Sequence, residues 1–340
     1  MRASSPTPAA STTSAASAAS NAPAASPTAA PRSRRHRRLL PPAAVLAGAA
    51  LLAGVTPGSA SAATAAAPGA PYTGMGNCPV AAPAMTNPEN LQVGCLVSVT
   101  NAGKFTLGST VVAFNSPITL QFGFYWDKSA PEVSFPDGSS ANQYTVVPPT
   151  SAPLLSAPMV QINIPGIQNF LPGITSVFAQ VELAGPVTKF TPLATGEPYP
   201  VFQLPIKLHL YNALFGAHCY VGSDSAPLLL KPTTGATTPT GSTPPMTGDP
   251  GTLGYDPDPN GHNALVISET NASLVDNTFA VPGASGCGLL GSLNQIIDWT
   301  MGLPAAPGKD SVSFEQTNAS FVLDTDVADL TAALRDSAAR

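Results

Sequence analysis

The clearest pattern along the chain is an alternation of apolar and polar side chains with a period of two. It covers 118–126, 160–164, 177–183 and 202–211, where every second residue is apolar. A period of two directs one face of a strand inward and the other toward water, which is typical of antiparallel sheets. About a dozen such runs, separated by turn clusters such as 136–138, predict an all-β fold, an antiparallel β-sandwich.

Two features qualify this pattern. Pro205 lies inside one run and has no N–H for a ladder, so that strand is expected at a sheet edge or at a bulge. A Thr/Pro/Gly-rich stretch, 232–261, precedes the strands expected over Ala264–Glu269 and Ser273–Val281. This stretch is either a linker between two domains or a long excursion within one.

A short helix is predicted near the C-terminal part, over Leu289–Met301. Its apolar residues recur at helical spacing: Leu289, Leu290, Leu293, Ile296 and Ile297. Gly302 is placed to end it. We expect this helix to pack on a sheet or to close one end of the sandwich. The C-terminal tail, 326–340, has a helical pattern over Asp326–Ala338 that is expected to fray.

The N-terminal part has the layout of an export signal. Residues 1–38, mostly Ala, Ser, Thr and Pro and ending in a block of arginines, are expected to form a disordered leader with a basic region. Residues 39–62 add an apolar run and a small-residue cleavage site that ends at Ala62, as in a secretory signal peptide. A membrane anchor is the alternative, but Leu39–Val55 is short for a span of about 20 residues. A disordered tether is expected over 63–76.

Composition separates the leader from the rest. The chain has 340 residues, with 14 basic and 19 acidic side chains. Residues 1–62 hold six of the basic residues and none of the acidic ones, so 8 basic and 19 acidic remain, a net charge of −11. This charge argues against binding to nucleic acid or anionic lipid. The 29 glycines and 38 prolines argue against a mostly helical fold. We expect one β domain over 77–325.

All four cysteines follow the predicted cleavage site. In an oxidising compartment an even number suggests two disulfides, with three possible pairings. The nearest-neighbour pairing joins Cys78 to Cys95 and Cys219 to Cys287. The second bridge would straddle 232–261, which favours one domain with an excursion. The spacing does not suit a metal site.

Candidate chemistry is sparse. Asp256, Asp258 and Asn260 match the first half of a calcium loop, but the closing acid is missing, because Ile267 stands at its position. We expect a plain turn there, with no metal and no cofactor.

No catalytic residues are assigned from the sequence. A hydrolase could use His218 with Ser223 or Asp224, but groups this close along the chain rarely reach the geometry that a nucleophile needs. Tyr125, Trp126 or Trp299 could serve a carbohydrate-binding surface, although Trp126 continues the apolar face of 118–124.

Four stretches prompt a comparison with a known group: 218–223, 228–235, 273–288 and 302–306. In these stretches the sequence resembles a group of uncharacterised exported proteins of actinobacteria, and the likeness extends over 77–325. The resemblance implies export and Cys219–Cys287 as a structural pair. It implies no activity, catalytic residue or cofactor.

These observations predict a secreted or cell-envelope-associated protein without enzymatic activity, with a structural or binding role. Its expected partner is a cell-wall component or a carbohydrate, and neither nucleic acid nor a membrane span of the mature chain is expected. The alternatives are a secreted hydrolase with a dispersed active site and a carbohydrate-binding β-sandwich.

Overall fold

The computed structural model of the protein describes residues 67–172, 176–241 and 243–339. The expected leader and signal peptide (1–62) and the first residues of the expected tether lie outside the described residues.

Sixteen strands, three α-helices and two 3₁₀ turns make up the described residues. The strands are β1 (Asn90–Leu107), β2 (Thr110–Phe114), β3 (Ile118–Asp127), β4 (Glu132–Ser134), β5 (Ser140–Asn142), β6 (Thr145–Val147), β7 (Leu155–Ser156), β8 (Val160–Ile162), β9 (Val177–Leu183), β10 (Leu204–Tyr211), β11 (Tyr220–Val221), β12 (Leu228–Leu230), β13 (Thr252–Pro257), β14 (Leu265–Asp276), β15 (Ala284–Ser285) and β16 (Ser311–Asp324). The helices are α1 (Ile167–Phe170), α2 (Asn294–Met301) and α3 (Val327–Ser337), and the 3₁₀ turns cover Met75–Asn77 and Leu289–Gly291.

The strands form two large antiparallel sheets and one small one. The first has eight strands in the order β13-β14-β16-β1-β3-β6, with β2 also on β1 and β7 on β3. The second has six, in the order β15-β11-β10-β9-β8, with β12 also on β10, and β4 pairs with β5 separately. Phe122 and Phe124 of β3 share one core with Ile206 and Leu210 of β10, all fully buried. The predicted all-β sandwich is confirmed.

The alternating runs over 118–126 and 177–183 become β3 and β9, as predicted. The expectation for Pro205 is wrong, because β10 lies inside its sheet between β9 and the pair β11 and β12. Pro205 is the second residue of β10, and the ladder with β9 begins only at Ile206. The missing N–H therefore breaks no bond of that ladder.

The outer face of the eight-stranded sheet is also covered, which the sequence pattern did not predict. Tyr72, Met75 and Met85 from the N-terminal segment form a second core there with Leu330 and Leu334 of α3. The expectation of a disordered tether is thus wrong from residue 67 onward. The tether was proposed from its Ala, Pro and Gly content, but one fully buried tyrosine is enough to fix the segment to the sheet.

The helix predicted over Asp326–Ala338 is confirmed as α3, and it packs on the eight-stranded sheet. Asp326 caps its first turn, because the carboxylate accepts the N–H groups of Ala328 and Asp329 at 2.6 and 3.3 Å. Leu330 and Ala333 are fully buried against the sheet. The domain boundary expected at residue 325 therefore moves beyond this helix. Among the described residues, no helix is both long and apolar enough to cross a membrane.

His262 fastens α3 to the loop before β14. Its Nδ1 lies 3.1 Å from Asp329 Oδ1 and its Nε2 lies 3.1 Å from Asp336 Oδ2. Both aspartates belong to α3 and lie about two helical turns apart. The Asn263 N–H also donates to Asp329, at 2.7 Å. The hydrogen bond with Asp329 is the main reason that the pKa of His262 is raised, and the bond with Asp336 and the charge of Asp258 add to it.

We expect this contact to make the stability depend on pH. A raised folded pKa means that the contribution of His262 is complete below its unfolded pKa of about 6.5 and is lost as pH rises through the folded value. The difference in melting temperature between wild type and His262→Gln should be largest near about pH 5.5 and should shrink by about pH 9. Thermal unfolding at both pH values measures it, and His218→Gln, at an exposed position, is the control. A pH-independent difference would contradict this role.

Both nearest-neighbour disulfides are present, Cys78–Cys95 and Cys219–Cys287. The Thr/Pro/Gly-rich stretch 232–261 is an excursion of the same domain and not a linker. Its first part pairs Thr233 with Val275 of β14, and its last part forms β13, which pairs with β14 along its whole length.

The predicted helix Leu289–Met301 is only partly right. The α-helix begins at Asn294, after a separate 3₁₀ turn at Leu289–Gly291. Gly288 and Gly291 have φ of 72° and 78°, in the left-handed region, which interrupts the helical path. Leu289 and Leu290, expected on the buried face, are 83% and 99% exposed.

Candidate functional site

A pocket of about 240 Å³ opens where the segment Pro198–Pro200 faces the start of the Thr-rich excursion. Tyr199, Lys231 and several threonines line it. The threonines that line it are Thr233, Thr237, Thr238, Thr240 and Thr278. The pocket is therefore a hydroxyl-rich surface with one aromatic ring and one ammonium group.

Asp276, the last residue of β14, holds two walls of the pocket together. It is fully buried, and its Oδ2 accepts the Lys231 N–H at 2.6 Å. Its Oδ1 accepts both the N–H and the hydroxyl of Thr278, at 2.7 and 2.8 Å. A buried carboxylate needs such donors to offset the loss of water. Asp276 thus fixes the positions of Lys231 and Thr278 in the pocket.

Thr237 fixes the part of the pocket lining that comes from the Thr/Pro/Gly-rich excursion. Its hydroxyl donates to Asn277 Oδ1 at 2.8 Å and accepts the Met246 N–H at 2.9 Å. The Asn277 amide in turn donates to the Pro244 carbonyl at 3.1 Å. These bonds tie both arms of the excursion to the end of β14, so the pocket has a defined shape although its wall is not regular secondary structure.

The ring of Tyr199 is held by two contacts. It packs edge-on against Phe135, with ring centroids 5.9 Å apart, and its hydroxyl accepts a hydrogen bond from Gln143 Nε2 at 3.2 Å. An aromatic ring fixed at both its edge and its hydroxyl presents the same face to every ligand, which lowers the entropy cost of binding.

The charge in the pocket comes from Lys231. Elsewhere, Lys207 is paired with Asp224 at 2.7 Å and Arg335 with Asp336 at 2.8 Å. Among the described residues, the Lys231 ammonium has no ion-pair partner. The described residues that line the pocket include no carboxylate, imidazole or thiol. The pocket can therefore donate hydrogen bonds and stack a ring.

Other spaces in the described residues are less suitable as ligand sites. Two gaps between the large sheets, about 20 and 50 Å³ in volume, are almost wholly apolar and too small for a ligand. A recess of about 880 Å³ separates Gly74–Cys78 from α3, but it opens beside Ala67, where the described part of the chain begins.

The histidine that most resembles a catalytic base is His209. It stacks between Tyr211 and Tyr220, at centroid distances of 3.9 and 4.3 Å, and its Nδ1 lies 2.9 Å from Glu182. Its Nε2 is buried and has no hydrogen-bond partner in the described residues. A base must reach the proton that it removes, and this imidazole is buried and packed between two tyrosines of the sheet.

The hydrolase candidate from the sequence does not assemble. Asp224 forms an ion pair with Lys207, and the Ser223 hydroxyl lies 3.2 Å from that of Ser225. Neither contact involves His218, which is exposed.

In the candidate calcium loop, the carboxylate of Asp258 is engaged in hydrogen bonds within the protein. Asp258 is buried, and its Oδ1 accepts the hydroxyl of Tyr72 at 2.9 Å. Its Oδ2 accepts the N–H groups of Asn260 and His262 at 2.8 and 3.0 Å. Burial and the bond to Asp258 raise the pKa of Tyr72. Asp256 lies in β13 opposite Val266. The described residues hold no group of three or more His, Cys, Asp or Glu suited to a metal.

The three aromatic residues proposed for a carbohydrate-binding surface differ in exposure. Trp126 and Tyr125 are half-buried and pack on the two cores, so they offer no open ring. Trp299 is 70% exposed but lies on α2, and none of the three lines the pocket. Neither Tyr199 nor Lys231 was predicted from the sequence. The available signal was the threonines that follow Lys231 and Pro232, in the stretch 232–261 that was interpreted as either a linker or an excursion.

A comparison of the chain with protein-family models, with curated proteins and with solved structures found no match.

Proposed function

We propose that this protein is a secreted, non-enzymatic binding protein that holds a small polyhydroxylated ligand, a sugar or a short glycan, in the pocket beside Tyr199. The observation that carries the proposal is the lining of that pocket. It combines one fixed aromatic face, several threonine hydroxyls and one ammonium group, and the described lining holds no carboxylate or imidazole.

This lining matches the chemistry of a sugar. The apolar face of a sugar ring packs on an aromatic side chain, and its hydroxyls exchange hydrogen bonds with hydroxyl groups and with an ammonium donor. Thr233 and Thr237 are buried, and their hydroxyls already form hydrogen bonds within the chain, so they fix the lining. The exposed Thr238 and the Lys231 ammonium are then held in place for a ligand before it arrives. Such preorganisation favours binding because little freedom remains to be lost.

Export is part of the proposal. It is supported by the layout of residues 1–62 and by two disulfides, since disulfides persist in oxidising compartments outside the cytosol. A position in the cell envelope or outside the cell would bring the pocket into contact with glycans.

Calorimetric titration with a panel of mono- and oligosaccharides tests the proposal. We expect at least one to bind, and Tyr199→Ala to weaken binding about tenfold, the equivalent of about 1.4 kcal/mol. Tyr199→Phe keeps the ring and should retain most of the affinity. Tyr255→Ala removes an exposed tyrosine of β13 outside the pocket and is the matched control.

Two results would overturn the proposal. Absence of binding to the whole panel would remove the pocket as a glycan site. Turnover of a bound glycan or of a simple ester, if abolished by Tyr199→Ala, would instead support the hydrolase alternative.

A further inference from the structure

Four large apolar side chains lie exposed on and beside the segment 289–301. Leu289 is 83%, Leu290 99%, Trp299 70% and Phe170 45% exposed, and the Phe170 and Trp299 rings meet edge to face at 4.7 Å. We call these four residues the apolar tip. Large side chains at this level of exposure, grouped along one short stretch, point to an interaction surface.

The backbone of the turn Leu289–Gly291 holds the two leucines in their exposed positions. Leu290 has φ of 54°, a left-handed conformation that is uncommon for a residue other than glycine and must be held by its surroundings. The turn is fixed at both ends, because the Gly288 N–H donates to the Phe215 carbonyl at 2.7 Å and the Leu293 N–H donates to the Cys287 carbonyl at 3.0 Å. Cys287 is itself tied to Cys219. The exposed leucines thus stand on a rigid base.

The segment that carries most of the apolar tip has little charge. Between Gly283 and Ala306 the sole ionisable side chain is Asp298, whose carboxylate accepts the Ala284 N–H at 2.6 Å. The exposed positions of the segment between Leu290 and Trp299 are Ser292 and Gln295, which are uncharged. Nothing here would be costly to place among lipid headgroups.

From these features we infer that the apolar tip inserts into the surface of an uncharged lipid bilayer. Its exposed area, on the order of 600 Å² for four large side chains, is less than the roughly 800 Å² per partner that a stable protein interface buries. Trp and Phe beside Leu suit the boundary between headgroups and acyl chains, where one end of a side chain is dry and the other wet. The tip has no basic residue, and the chain after residue 62 carries a net charge of −11, so anionic lipid should not strengthen binding.

Vesicle sedimentation tests the inference, with the chain after residue 62, which the predicted cleavage would leave and which contains all described residues. We expect it to sediment with phosphatidylcholine vesicles and to bind no more tightly when part of the lipid is phosphatidylglycerol. The double variant Leu289→Ser/Leu290→Ser should lower the bound fraction at least about fivefold. Because both leucines are exposed, the variant should melt as the wild type does. Leu253→Ser/Tyr255→Ser, which removes two exposed apolar side chains of β13, is the matched control.

Tryptophan fluorescence gives a second readout. Trp299 is exposed and Trp126 half-buried, so a blue shift on adding phosphatidylcholine vesicles reports mainly the tip. Lack of binding to these vesicles, or an equal loss in the β13 control, would overturn the inference. So would a dimer in sedimentation velocity that the double variant converts to a monomer, since the tip would then cover a second copy.

Discussion

Replacing both Cys219 and Cys287 with alanine should lower the free energy of unfolding by about 4 kcal/mol, because the bridge closes a loop of 68 residues in the unfolded chain. Both cysteines are fully buried in the main core, and alanine leaves no buried hydroxyl there. The bridge joins the start of β11 to the turn before α2, and the residues that line the Thr-rich wall lie within this loop. We therefore expect the same variant to weaken ligand binding in the pocket.

Denaturant unfolding followed by tryptophan fluorescence measures this effect. The Cys78→Ala/Cys95→Ala variant is the comparison, because its loop has 17 residues and its expected loss is about 3 kcal/mol. The wild type should also unfold at a lower denaturant concentration with reducing agent than without it. If the Cys219 and Cys287 variant unfolded at the wild-type midpoint, the bridge would have no part in holding the excursion.

The second large effect is expected at Asp276. Asp276→Asn keeps the shape of the side chain but places an NH₂ group or a neutral oxygen where three donors now meet a carboxylate. A hydrogen bond to a charged group contributes about 1.5–3 kcal/mol, so we expect a loss of at least about 2 kcal/mol in unfolding free energy. Lys231 and Thr278 would lose their fixed positions, and affinity in the pocket should fall about tenfold or more.

Urea unfolding and calorimetric titration of the same variant separate the two parts of this prediction. Asp256→Asn, an exposed change in β13, is the control and should alter neither quantity. Unchanged ligand affinity in Asp276→Asn, together with lower stability, would show that Asp276 supports the fold without shaping the pocket.

Much of the fold was predictable because a period of two is a local signal. A strand with one dry and one wet face repeats its pattern at every second residue, and 118–126 and 177–183 therefore gave β3 and β9. The helix over Leu289–Met301 was a weaker case. Helical spacing of five apolar residues was present, but Gly288 and Gly291 broke the path, and the apolar pattern could not reveal this.

The pocket could not be predicted in the same way. Tyr199, Lys231 and Thr278 are distant in sequence and are brought together by hydrogen bonds to Asp276 and by contacts of the excursion. No periodic pattern connects them. The side chains that were candidates from the sequence, such as Asp258 and Asp224, are engaged in structural contacts.

By itself the sequence determined the all-β class, the position of several strands, the C-terminal helix and the acidity of the chain after residue 62, because these follow from local periodicity and composition. Tertiary structure alone decided that the N-terminal segment and α3 cover the second face of the large sheet, and that β10 lies inside its sheet. It also decided which residues form the pocket and that Leu289 and Leu290 face outward. The physical reason is that burial and hydrogen bonding between distant residues depend on how whole sheets and loops pack, which no local pattern records.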